Sequence, residues 1–272
     1  MTWRVMREPL LMLGAGRALL MQAAHPLVAQ GAIDHSAFAT DPYGRLERTV
    51  EWVTLVSYGT TAEARAVSER VLRVHRRIAG RLPAANATSR VPADRAYAAS
   101  NTSLLRWVHA SFVDSMLATH DALVGDLNDS DRDGFVREWD AVAALMGVPQ
   151  RLLWPDAAAM RRYAVRQVER GPCLPGAGSR LVAQTVLHPP VRALWLRPGV
   201  DLLAFVSLGL LPDALRSAYG FRWSRAHRVA HAAALASLRS AHPVLPRRLR
   251  VSPVHDLAVA RAAGRWPHAA AA

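Results

Sequence analysis

The chain has 272 residues, 51% of them hydrophobic, enough to bury one large core or two small ones. Its net charge is +13, and all 34 basic residues are arginines, scattered from Arg4 to Arg265. That distribution is not the clustered Lys/Arg stripe of a nucleic-acid binder, so nucleic acid is not an expected partner, and an anionic cofactor or peripheral contact with an acidic membrane is. The lone Cys173 excludes an internal disulfide framework and a thiolate metal cluster, and points to a reducing, cytoplasmic setting with membrane association left open.

The opening stretch, MTWRVMREPLLMLGAGRALLMQAAHP, has the look of a signal peptide, but Glu8 spoils its basic end and Arg17 interrupts its apolar run. A core helix is expected there. LGAGRA lacks the third glycine and the preceding strand of a dinucleotide fingerprint, so Gly14 and Gly16 read as close-packing positions. Next, DPYGRLERTVEW places Arg45 and Thr49 four residues apart, a planar donor and a hydroxyl on one helix face.

GTTAEARAVSERVLRVHRRIAG opens with Thr60 and Glu63 in capping-box spacing and is expected to run as a helix to Gly80. His75 falls on the stripe formed by Val67, Val71, Val74 and Ile78, among Arg70, Arg73, Arg76 and Arg77. An inward histidine is most often a core residue with a satisfied ring nitrogen. A ring that ligates iron would need an apolar wall and cations nearby for anionic groups, and this helix has both.

NTSLLRWVHASFVDSMLATHDAL carries Leu105, His109, Phe112 and Met116 on one helical face. DSDRDGFVREWD resembles a calcium loop, with Asp129, Asp131 and Asp133 alternating before Gly134 and Val136. Its twelfth position holds the short Asp140 and no second loop pairs with it, so an acidic helix start is the favoured reading. PDAAAMRRYAVRQVERG is a further helix, with proline near its first position and Gly171 at its end. The apolar run Leu202–Leu211 is shorter than the about 20 residues that span a bilayer. His227 and His231, four apart, could in principle hold a metal, but the surrounding arginines favour a surface helix. No G-x-S-x-G and no hairpin signal occurs. The whole reads as all-α: one multi-helix bundle over residues 1–272.

LLMQAAHPLVAQGAIDHSAFATDPYGRLERT, SYGT, VHRRIAG and LLRWVHASFVDS, with LPDALRSAYGFRW and HPVLPRRLRVSP behind them, together resemble the catalytic domain shared by latex-clearing rubber oxygenases and the fungal mycophenolate-pathway oxygenase. The similarity runs in order over about residues 9–265. It implies a helical bundle that encloses haem b, with His75 as the axial iron ligand and Arg45 and Thr49 in the pocket. His109 becomes a buried supporting residue near the haem, and Arg73, Arg76 and Arg77 are propionate candidates by position alone. Two departures stand out. Arg48 replaces a lysine that in rubber oxygenases can take the sixth iron position, and a guanidinium is a very poor ligand. Between Glu8 and Glu47 there is no glutamate to act as the base of the rubber enzymes, only Asp34 and Asp41.

The expected activity is therefore that of a haem-dependent oxygenase on an apolar small molecule, with an electron donor as a further partner if its oxidant requires one. A haem or lipid carrier without turnover, and a calcium-tuned binding protein built on Asp129–Asp140, are the alternatives.

Overall fold

The computed structural model describes residues 1–36, 41–190 and 194–265. Its helices in chain order are α1 (Thr2–Met6), α2 (Ala15–Ala23), α3 (Pro26–His35), α4 (Pro42–Tyr58), α5 (Thr61–His75), α6 (Thr102–Leu123) and α7 (Asp129–Leu145). They continue as α8 (Ala157–Glu169), α9 (Ala177–Leu187), α10 (Arg197–Leu210), α11 (Asp213–Tyr219), α12 (Arg225–Ala241), α13 (Arg247–Arg250) and α14 (Pro253–Ala262). The all-α expectation holds with one exception. Strands β1 (Ala79–Arg81) and β2 (Ala96–Ala98) pair antiparallel, Gly80 opposite Tyr97.

At the centre, α2 packs against α6, α9 and α10. Gly14 and Gly16 make that approach possible: a Cβ on Gly14 would lie 1.9 Å from Thr119 Oγ1, and one on Gly16 2.4 Å from Ser207 Oγ. The close-packing reading of these glycines is correct. Arg17 does not break the apolar run by reaching water. It is buried, and its guanidinium donates to Asp114 Oδ2 and Ser115 Oγ on α6 (both 2.6 Å) and to the Leu210 carbonyl that ends α10 (2.9 Å). A charge pair this dry is tolerable because each guanidinium nitrogen donates a hydrogen bond. Around it Trp107, Val113, Phe135, Trp139, Met160 and Leu215 form the main core.

α6 is long because thirteen of its residues are buried on several sides, and Asn101 caps its first turn through Ser103 and Leu104 N–H. α7 begins with a capping box between Asn128 and Asp131, so Asp129–Asp140 is helix rather than a metal-binding loop. Its carboxylates are spent separately: Asp131 on Arg4 and the cap, Asp129 on Arg132, and Asp133 on the N–H of Ala157 that starts α8. Pro155 stands one residue before Asp156, the cap of α8, and not inside the helix.

α5 has the expected Thr60–Glu63 capping box but ends at His75, not Gly80. Gly80 is a strand residue. A Cβ there would stand 2.5 Å from Tyr97 Oη, so only glycine lets the ring cross the hairpin. The stripe is corrected as well. Val74 is 56% exposed, and the inward face of α5 is Val67, Ser68, Val71, Leu72 and His75. Among the described residues no single helix is long and apolar enough to cross a membrane.

Asp114→Ala should cost about 3–5 kcal/mol by leaving the Arg17 guanidinium buried and uncompensated. Replacing the pair together, with Arg17→Met and Asp114→Leu, should cost distinctly less. Urea unfolding of the two variants checks both, and equal losses would show that the pair contributes only packing.

Candidate functional site

α4 and α5 form an antiparallel helical hairpin joined at Gly59–Thr60. Arg45 and His75 each lie about four turns from that bend, and so at the same level of the two helices. The hairpin leans on the main core through Trp52, Val53 and Val56, and α5 also meets α7. Past His75, Ile78 packs on the satellite cluster that includes Leu104, which brings the end of α5 to the start of α6.

The end of α5 is held by a polar clamp. Tyr97 Oη donates to Asp34 Oδ2 on α3, Gln30 Nε2 donates to Asp34 Oδ1 (2.8 Å), and Asn86 Nδ2 donates to Gln30 Oε1 (2.6 Å). His35 Nε2–H reaches the Ala79 carbonyl at 3.1 Å. The Asp-His of the DHS motif thus ties α3 to the hairpin that follows His75. With Asp41 capping α4 at Gly44 N–H and facing Arg48 at 3.5 Å, neither aspartate is free to serve as a base.

The His75 ring is half-buried and its Nδ1 is buried with no hydrogen-bond partner. Burial pushes its pKa below the ordinary 6.5, so the imidazole is neutral at pH 7 and keeps a lone pair. Arg45 is half-buried and makes no ion pair among the described residues; burial, then the neighbouring Arg48 cation, lowers its pKa. Thr49 departs from the expected geometry. Its side chain is exposed, and its hydroxyl donates back to the Arg45 carbonyl at 2.9 Å. Arg48, 63% exposed, points to solvent. Arg73, Arg76 and Arg77 are exposed too, and no contact ties any of them to the inward face.

His109 is buried on α6 and stacks on Trp154, the rings 6.2 Å apart and 7° from parallel. Its Nε2 lies 3.7 Å from Asp140 Oδ1 on α7, and both atoms lack a hydrogen-bond partner. One turn earlier Arg106 lies against both Trp154 and Tyr163, with its Nε buried and unpaired. Trp52 and Trp154 carry unpaired indole N–H groups as well. Unpartnered polar atoms are scarce in folded proteins, and here they gather on α4, α5, α6 and the α7–α8 segment. Two cavities lie elsewhere: one of about 380 Å³ beside Trp3 and Glu138, another of about 150 Å³ between α4, α5 and α14.

Arg106 and Trp154 were not singled out in the sequence, and Asp140 was noted only as the last position of the calcium-like stretch. The signal for Arg106 was present, since it precedes His109 by three residues on the same helical face. His227 and His231 do not meet as a metal pair: His227 joins Ser224 in a capping box, while buried His231 faces the Val206 carbonyl at 3.3 Å. Cys173 is buried, and burial pushes its thiol pKa well up.

The sequence model of a family described as ER-bound oxygenase mpaB/B′/rubber oxygenase, catalytic domain, matches residues 3–240. The uncharacterized proteins Mb2261 of Mycobacterium bovis and Rv2237 of Mycobacterium tuberculosis are each 24% identical over 237 residues, 85% of this chain and 88% of the relative. No solved structure matches.

Burial holds the His25 imidazole down to about 4. Between pH 6.5 and 4 the unfolded chain therefore takes a proton that the folded chain refuses, so stability is full above pH 6.5 and declines toward pH 4. His25 alone accounts for up to roughly 3 kcal/mol, and the lowered His75, His120 and His231 act with the same sign. His25→Asn keeps an acceptor for the Leu27 N–H and should flatten the pH profile of urea midpoints by about one proton. An unchanged profile would show that His25 titrates normally.

Proposed function

With residues 3–240 matched, the chain belongs to the mpaB and rubber oxygenase catalytic-domain family, and we propose that it is a haem b-dependent oxygenase acting on an apolar small molecule. The observation that carries this reading is the unpartnered, neutral His75 at the end of α5, on its inward face. A buried imidazole with no hydrogen bond is costly in an otherwise apolar place, and a metal bond would relieve that cost. Bound haem would supply an iron centre that activates O₂ or another oxidant.

The protein's own groups would do the rest. His75 would hold the iron, with its neutral form already selected by burial. Arg45, charged and without a carboxylate, would offer N–H donors to a partly negative group in the pocket. Thr49 could join only by turning from the Arg45 carbonyl, so its contribution is the smaller one. His109 Nε2 and Asp140 Oδ1 face each other at 3.7 Å without a hydrogen bond, so each would be open to a polar group of the ligand. Trp52, Phe112 and Trp139 exclude water from this side of the core and suit an apolar substrate. Asp34 and Asp41 are both engaged, so the base of the rubber enzymes has no counterpart there. A small apolar substrate is therefore favoured over polyisoprene.

The chain expressed with a haem supply should carry one haem b per chain. His75→Ala should lose most of it, and added imidazole should partly restore the spectrum. Absence of a Soret band after reconstitution would remove both the oxygenase and the haem-carrier readings.

Turnover and carriage differ in whether a second residue of the chain would also bind the iron. Because Arg48 cannot ligate and points to solvent, the ferric protein should be high-spin and the ferrous protein should take up CO readily. Arg45→Gln should speed ligand loss by about tenfold, the worth of one charge-assisted hydrogen bond, with Thr49→Val changing it far less. A fully low-spin, bis-histidine spectrum would favour the carrier.

A further inference from the structure

Arg106 has an unusual electrostatic position. Among the described residues it makes no hydrogen bond and no ion pair, although it is half-buried and its Nε is wholly so. The other buried or half-buried arginines have carboxylate or carbonyl partners, as Arg17 has Asp114 and Arg216 has Asp213 and the carbonyls ending α10. Among the described residues Arg45 is the single exception, and it stands on α4 of the α4–α5 hairpin. Arg106 is also held against aromatic rings. Its guanidinium carbon sits 4.7 Å from the centre of the Trp154 ring and 4.4 Å from that of Tyr163, two rings that themselves touch, their centres 4.9 Å apart. The paired rings hold the cation from one side and leave its N–H donors unused. Asp140 faces His109 and makes no ion pair with Arg106.

A partly dehydrated cation with unused planar N–H donors is matched to a two-oxygen anion, and among apolar surroundings to a carboxylate bound through both oxygens. We propose that Arg106 is a carboxylate-binding subsite of the pocket beside His109, taking the anionic end of an otherwise apolar ligand. The carboxylate could belong to haem or to a fatty acid-like substrate. The proposal rests on the same face being a ligand pocket, but not on the ligand being haem.

The test uses the haem-free full chain, with tryptophan quenching or calorimetry as the readout. Haemin is titrated beside its dimethyl ester, and decanoate beside decanol. At least one acid should bind about tenfold more tightly than its neutral counterpart, as one charge-assisted pair provides. Arg106→Gln should erase that preference while the ester or alcohol binds as before. Arg106→Lys, which keeps the charge and loses the fork, should retain only part of it, and serves if the glutamine variant does not fold. Preference for haemin identifies the haem carboxylates as the source, and preference for decanoate identifies a substrate. If haemin does not bind and decanoate shows the Arg106-dependent preference, the haem reading falls and the subsite stands. If haemin binds but neither acid is preferred, or the preference survives both variants, the subsite is overturned and the haem reading stands.

Discussion

The ion pair between Arg17 and Asp114 fixes the frame on which the rest of the molecule is hung. Its two charges are nearly dry, and Ser115 Oγ and the Leu210 carbonyl take the remaining donors of the guanidinium. A pair of this kind adds little net stability over an apolar pair, but it tolerates no slippage, because one residue of shift would strand a charge in hydrocarbon. It therefore sets the register of α2 on α6 and pins the end of α10 to both. His109 and Arg106 lie upstream on that same α6, so their positions inherit the register. The bare faces at Gly14 and Gly16 bring the backbones near enough for the pair to close.

What the sequence shows depends on how local the cause is. α6 and α7 are readable because their signals are contained in them: an Asn cap, a capping box and apolar positions at helical spacing. α5 runs on too far in a sequence reading because VHRRIAG has no local stop. Its end is imposed by β1 pairing with β2, and by Tyr97 reaching back across Gly80 to Asp34, contacts between residues far apart in the chain. That explains why Val74 looked inward and is not. The same distinction applies to the site. His75, Arg45 and His109 are reached through motif resemblance, and the hairpin places the first two at one level. Nothing local says that Thr49 spends its hydroxyl on the preceding turn, nor that Trp154 and Tyr163 from another part of the chain close on Arg106.

Charge is divided sharply over this protein. Carboxylates near the candidate pocket are either committed, as Asp34 and Asp41 are, or drawn toward a histidine, as Asp140 is. Apart from indole N–H groups and the facing atoms of His109 and Asp140, the inward-facing groups left without partners near the candidate pocket are a neutral imidazole and two guanidinium groups. Such a lining is hospitable to an apolar body with negative ends and inhospitable to a cation. The net charge of +13 acts in the same direction at longer range. The oxygenase family, the apolar walls and the unpaired cations thus describe one kind of guest.

Cys173 has a quieter consequence. Its sulfur lies in the main core beside α8, and burial keeps it protonated, so in the native state it offers no thiolate to an oxidant or an alkylating reagent. In a protein built to handle oxidants, the lone thiol is thereby stored where it cannot be consumed. Because no second cysteine exists, its reactivity also has a single meaning: a molecule that reacts is a molecule whose core has opened. The rate of thiol capture therefore counts openings of the core, and a ligand that seals the fold would slow the count.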